Sequence, residues 1–125
     1  MKLEHIALTI SEPDEINNFY QDLLDLKLEK TFHLSKRLAD KIFHISKETS
    51  VFILQKENLR LEVFVTFGRK ERSFNHLCLS VKNREELLLK AENKNDDYIR
   101  IKRDVFDLMF IKDKYGNIFE LKENS

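Results

Sequence analysis

His5-Ile6-Ala7-Leu8-Thr9-Ile10 and His76-Leu77-Cys78-Leu79-Ser80-Val81 share one pattern: His, large apolar, small, large apolar, small hydroxyl, β-branched. The two copies lie 71 residues apart. Side chains alternate across a strand, so Ile6, Leu8, Ile10 and Leu77, Leu79, Val81 form apolar faces suited to burial. The opposite faces carry His5, Ala7, Thr9 and His76, Cys78, Ser80. Small side chains beside each imidazole leave space above the sheet, which a ligand pocket requires and a filled core does not.

The segments after each copy repeat as well. Ser11-Glu12-Pro13-Asp14 is a helix-start signal, and Ile16, Phe19, Tyr20, Leu23 and Leu24 recur at the spacing of an amphipathic helix. This predicts a helix over 12–25. After the second copy, Asn83 with Glu86 makes a capping signature and Leu87, Leu88 and Ala91 a shorter apolar stripe, ending in the polar run 92–97. Short apolar runs of strand length come next at 28–34, 41–46, 50–55 and 59–67, and again at 97–102, 105–112 and 117–122. The expected class is α+β, a βαβββ module written twice, the first about 1–68 and the second about 72–125, in a single domain over 1–125.

The last strand of each half contains an interrupting carboxylate. Alternation sends Leu61, Val63 and Val65 to one face and Glu62 to the other, beside Arg60 and Phe64. Asp113-Lys114-Tyr115-Gly116 reads as a turn, after which Phe119 and Leu121 face a core with Glu120 opposite. Each half therefore offers one His on its first strand and one Glu on its last, separated by 57 and 44 residues.

Composition narrows the function classes. The chain has 125 residues, with 22 Lys+Arg balanced by 22 Asp+Glu, so no strong field attracts nucleic acid or anionic lipid. No apolar run approaches a membrane span, and MKLEHIALTI lacks the layout of a secretory signal, so the expectation is a cytoplasmic protein without nucleic-acid or membrane partners. The single cysteine, Cys78, forms no intrachain disulfide, and two glycines are too few for a phosphate-cradling loop.

The His-x-x-Leu opening, Asn-Asn-Phe-Tyr-Gln-Asp-Leu-Leu at 17–24, Leu-Glu-Val-Phe at 61–64, the second opening at Asn75–Val81 and Asp113-x-x-Gly116-x-x-x-Glu120-Leu121 together resemble the vicinal oxygen chelate superfamily. That group contains glyoxalase I, fosfomycin-resistance proteins, bleomycin-binding proteins, methylmalonyl-CoA epimerase and extradiol dioxygenases. The resemblance implies two βαβββ modules forming an open curved mixed sheet around a cleft. It also implies metal ligands at His5, Glu62, His76 and Glu120, a set most similar to glyoxalase I. Two imidazoles and two carboxylates suit a divalent ion such as Ni, Co, Zn, Mn or Fe(II).

The activity implied is that of a glyoxalase-like lyase or isomerase. A small-molecule substrate chelated through adjacent oxygens loses a C–H proton by way of an enediolate, with Glu120 or Glu62 as general base. Ala7, Thr9, Phe64, Cys78 and Ser80 would line its pocket. A homodimer is typical of the family, with the modules paired within one chain or between two. Two alternatives stand beside this one: an epimerase of acyl-CoA-type substrates, and a metal-free protein that sequesters an antibiotic in the manner of bleomycin-resistance proteins.

Two positions depart from the glyoxalase I pattern. Thr9 stands where bacterial members carry an Arg for the glutathione carboxylate, and a neutral hydroxyl cannot supply that bidentate contact. Thr66 stands where the family tends to have Asn for the same thiol. Arg60, Arg69, Arg100 and Arg103 are the remaining cations for an acidic substrate, each more simply read as solvated surface. His33 and His44 are secondary candidates, Asp25 replaces the Gly common after the first helix, and 69–72 reads as a solvated turn between modules.

Overall fold

The computed structural model describes residues 3–66 and 74–123. The basic turn at 69–72, with Arg69, lies outside the described residues. The chain divides into two compact units, Met1–Arg69 and Lys70–Ser125. Each contains a four-stranded mixed sheet that does not close on itself, and the class is α+β with tandem modules.

The first unit runs β1 (Ile6–Ile10), a π-helical segment (Ile16–Gln21), β2 (Lys27–Leu34), α1 (Lys36–Phe43), β3 (Thr49–Lys56) and β4 (Leu59–Val65). Its sheet order is β1-β4-β3-β2, with β1 parallel to β4 and the other pairs antiparallel. The second unit runs β5 (Leu77–Val81), α2 (Arg84–Asn93), β6 (Asp97–Ile101), β7 (Leu108–Lys112) and β8 (Ile118–Glu123). Its order, β5-β8-β7-β6 with β5 parallel to β8, is the same plan.

Alternation along the strands builds the cores. Leu61 and Val63 of β4 and Leu54 of β3 have no exposed surface, nor do Phe19 and Tyr20, whose rings meet edge to face at 5.0 Å. In the second unit, Phe119, Leu121, Met109 and Ile111 are buried, as are Leu88 and Ala91 of α2. Full burial of one large apolar side chain contributes about 1.5–3 kcal/mol. These two clusters therefore fix which face of each sheet is core and leave the opposite face for Glu62 and Glu120.

Three expectations about the elements are corrected. The first helix is shorter than 12–25 and is wound more widely: the Asp22 and Leu24 amides donate to the Asn17 and Phe19 carbonyls, five residues back. This winding buries the adjacent pairs Phe19/Tyr20 and Leu23/Leu24 together. No side chain caps its start.

The run 41–46 is not a strand. Ser35 accepts the Leu38 amide at 3.3 Å and starts α1, which puts Leu38, Ile42 and Phe43 on helical spacing and buries Ala39. The helix ends at His44 in the left-handed conformation (φ 60°). The strand expected at 105–112 begins only at Leu108, because Asp107 gathers the Arg103 amide, Arg100 and Lys102 into a loop.

The Asn83 cap forms as its spacing predicts, accepting the Glu86 amide at 3.0 Å. Asp25 has φ 57°, the left-handed region that explains a preference for Gly there. Among the described residues no helix is long and apolar enough to cross a membrane.

Candidate metal centre

Strand register brings each His to its Glu by the same construction. Ala7 pairs with Glu62 across β1 and β4, and His5 stands two residues before Ala7. Cys78 pairs with Glu120 across β5 and β8, and His76 stands two residues before Cys78. His5 Nδ1 lies 3.3 Å from Glu62 Oε2, and His76 Nε2 lies 3.8 Å from Glu120 Oε1. The carboxylates are mostly shielded, at 17% and 20% side-chain exposure, while the imidazoles are about half open at 42% and 46%. Each unit thus offers one reachable nitrogen beside one sheltered oxygen pair.

The pairs are suited to a divalent ion. Metal–nitrogen and metal–oxygen bonds of about 2.0–2.2 Å at tetrahedral or octahedral angles leave the two donor atoms about 3.0–3.4 Å apart. The first pair already has that separation, and the second reaches it by closing a few tenths of an ångström. His76 Nδ1 is 2.9 Å from the Phe74 carbonyl and donates to it, which leaves Nε2 as the ring nitrogen facing Glu120. Among the described residues no group of three or more His, Cys, Asp or Glu side chains converges on one point; the candidate set comes as two pairs, one in each unit.

The pocket candidates share the faces of these pairs. Ala7 and Thr9 are exposed on β1, with Thr9 opposite Phe64. Cys78 and Ser80 are exposed on β5 opposite Glu120 and Lys122. Cys78 Sγ lies 3.6 Å from Glu120 Oε2. Its thiol is pushed above the ordinary range by burial first, then by the negative charge of Glu120 and the hydrogen bond to it, with Lys122 opposing.

The remaining candidates are occupied elsewhere. Arg60 is held by Glu29 and Gln55, at 2.5 and 2.7 Å. Arg100 binds Glu85 and Asp107, and Arg103 lies over the Phe106 ring at 4.7 Å. His33 meets Glu48 at 3.5 Å, both exposed, and Thr66 continues the sheet by donating its amide to Ile10.

A surface groove beside α2, lined by Glu85, Glu86, Glu92, Tyr98 and Arg100, is on the other side of the second sheet from Glu120. That side is set by register, since Arg100 pairs with the core residue Met109 and Glu120 with Phe110.

Two neighbours of the site were not among the candidates read from the sequence. Phe43 packs its ring edge-to-face on Phe64 at 5.5 Å, bringing α1 to the Glu62 face. Its signal is the 38, 39, 42, 43 spacing after Ser35. Lys122 places Nζ 4.0 Å from Glu120 Oε2, and two-residue alternation from Glu120 is enough to find it.

Sequence and structure comparisons bear on the fold and the family. No curated protein matches the sequence. Similar solved structures include the glyoxalase family protein from Enterococcus faecalis, 20% identical with a TM-score of 0.73 over 96% of this chain and 95% of that one. Another is a mutant of the fosfomycin resistance protein FosX from Listeria monocytogenes complexed with Mn(II) and a dihydroxypropylphosphonic acid, 16% identical, TM-score 0.75, covering 99% and 93%. A third is the trypanothione-dependent glyoxalase I of Leishmania major, 15% identical, TM-score 0.74, covering 98% and 86%. At these identities the likeness is one of fold. The family model for the Glyoxalase/Bleomycin resistance protein/Dioxygenase superfamily matches residues 2–121, and the chain belongs to that superfamily.

Proposed function

We propose that this protein is a divalent-metal-dependent, glyoxalase-like lyase or isomerase acting on a small molecule, with His5, Glu62, His76 and Glu120 as the metal ligands. The observation that carries the reading is the register identity: in both units the His stands two residues before the cross-strand partner of the Glu. Two separate strand pairs with the same His/Glu placement are what a site built from duplicated modules requires. The two modules work as one functional domain, paired within a chain or across a homodimer. FosX complexed with Mn(II) supports the choice of a divalent ion.

A bound ion of this kind supplies Lewis-acid polarisation of substrate oxygens. The chain supplies the rest. His76 is oriented by the Phe74 carbonyl, and the small side chains of Ala7, Thr9, Cys78 and Ser80 leave room for substrate beside the ligands. Glu62 or Glu120 takes a proton from carbon. Thr9 removes the Arg expected for glutathione, so the substrate is recognised without that contact. The free thiol of Cys78 fits a reducing, cytoplasmic site of action.

The test is metal content by mass spectrometry on tag-free protein titrated with Ni, Co, Zn and Mn, comparing wild type with His5→Ala, His76→Ala and Glu120→Ala. Near-stoichiometric metal in wild type and its loss in the variants supports the reading and directs screening to hemithioacetals and acyl-CoA thioesters. No binding above background removes it and favours a sequestering role, in which the aromatic pair Phe43 and Phe64 holds an apolar ligand.

A further inference from the structure

The two sheets end on different kinds of edge. In the first unit the edge strand β2 carries Lys27, Glu29 and Lys30, all exposed, and a bulge breaks its register between Leu28 and Lys30. Charges and bulges on an edge keep a second strand from adding to it. The matching edge of the second unit, β6, has neither lysine nor proline and runs in unbroken register with β7. Its Tyr98, Ile99 and Ile101 are 39%, 36% and 46% exposed. Among the described residues β6 pairs with β7 alone, which leaves its outer row of backbone N–H and C=O groups without a neighbouring strand.

The strand is complementary to itself. Antiparallel pairing about a two-fold axis at Ile99 is the two-fold register that overlaps the whole of Asp97–Ile101. It sets Ile99 against Ile99 of the second copy, Asp97 against Ile101 and Tyr98 against Arg100. Continued by one residue at each end, it sets Asp96 against Lys102. An axis one residue further on would stack Arg100 on Arg100, and one residue back would pair only 97–99. Alternation places Asp96, Tyr98, Arg100 and Lys102 on the α2 side of the sheet, so each acid or ring there meets a cation. Arg100 is already held in place by Glu85 and Asp107. On the other side Ile99 and Ile101 form an apolar strip, and the loop that follows adds Val105 and Phe106, 89% and 49% exposed.

We infer that β6 is a docking edge for a second copy of this chain, added antiparallel so that the sheets of two second units run on as one. The self-complementarity fixes the occupant. A foreign strand would supply backbone hydrogen bonds, but not the Tyr98–Arg100 and Asp96–Lys102 pairs that the two-fold axis makes twice over. An edge this short covers less than the roughly 1,200–2,000 Å² of a standard interface, so the association is weak and depends on concentration. β7 separates β6 from β8 and Glu120, and the inference does not rest on the metal-centre reading.

The test is disulfide trapping in the full chain, with Cys78→Ser removing the native thiol. Opposed Cα atoms in an antiparallel pair are about 4.5–5.5 Å apart, within a disulfide's reach of about 4.4–6.8 Å, so Ile99→Cys is expected to give a covalent dimer on mild oxidation. Ile101→Cys lies about 14 Å from its own copy in this register and is expected to link at least about tenfold more slowly. Mixing Ile101→Cys with Asp97→Cys should restore linking. In sedimentation velocity Ile99→Lys, which opposes two ammonium groups on the axis, is expected to weaken concentration-dependent association about tenfold while the melting temperature holds. Linking by neither cysteine, equal linking by Ile99→Cys and Ile101→Cys, or association unmoved by Ile99→Lys overturns the inference.

Discussion

Replacing Asp113 by Ala should loosen the turn that delivers Glu120 to the candidate site. Asp113 is buried, and its carboxylate accepts the Tyr115 amide, the Asn117 amide and Asn117 Nδ2 at 2.9, 2.9 and 2.7 Å. Asn117 is only 2% exposed, so losing the carboxylate would leave two buried N–H donors that water cannot reach. Each unsatisfied buried donor costs about 1–3 kcal/mol, and relief of the carboxylate's own desolvation offsets part of that, giving a loss of about 2–5 kcal/mol. Typical stability for a domain is about 5–15 kcal/mol, so the loss is a large fraction of the total. Urea unfolding followed by circular dichroism should show a lower midpoint with an unchanged slope. Asp113→Asn keeps an acceptor at one oxygen and should lose roughly half as much. A loss below about 1 kcal/mol in Asp113→Ala, or equal losses in the two variants, refutes the account of the turn.

Three further outcomes rest on the same kind of reasoning. Glu85 and Asp107 are both held below the ordinary carboxylate range, in each case chiefly by the hydrogen bond from Arg100. Because the folded-state values are depressed, their stabilisation is present above the usual carboxylate range of about pH 4 and is lost as pH falls through the folded values. Carbon-13 titration of the carboxyls should give midpoints below that range in wild type and ordinary ones in Arg100→Gln; unchanged midpoints in the variant count against the pairing. Asp25→Val forces a β-branched residue into φ 57° and should cost about 1–2 kcal/mol by thermal melting, with Asp25→Gly within about 0.5 kcal/mol of wild type. Phe64→Ala removes the edge-to-face contact with Phe43, and hydrogen exchange in Lys36–Phe43 should quicken about two- to tenfold while β3 and β4 keep their protection. Equal quickening across all three elements would show that the ring supports the sheet and not the helix.

Much of this arrangement was legible because the decisive signals are local. The alternation at 5–10 and 76–81 is enough by itself to assign faces, and the pairings Ala7 with Glu62 and Cys78 with Glu120 are set once those strands lie beside β4 and β8. What failed to read lies where a local cap or tertiary packing overrides the apolar pattern. Residues 41–46 are apolar enough for a strand, but the Ser35 cap and the burial of Ala39 draw 36–43 into a helix. The wide winding at Ile16–Gln21 has no sequence signature, since the same apolar spacing serves an ordinary helix. The polar surroundings of Glu120 were hidden for a different reason. They depend on which atoms of Cys78 and Lys122 reach one carboxylate oxygen, which alternation can place on a face but cannot aim.

The parallel pairing of β1 with β4 and of β5 with β8 also sets an order of events during synthesis. In each unit the strand made first waits for the strand made last, so His5 meets Glu62 only after 57 residues and His76 meets Glu120 only after 44. Closing such loops costs entropy that nearer contacts do not, and these pairings belong to the late, slow part of folding. A nascent chain that ends before β4 therefore holds neither pair, and one that ends between β4 and β8 holds only the first, so each pairing marks the completion of its own unit.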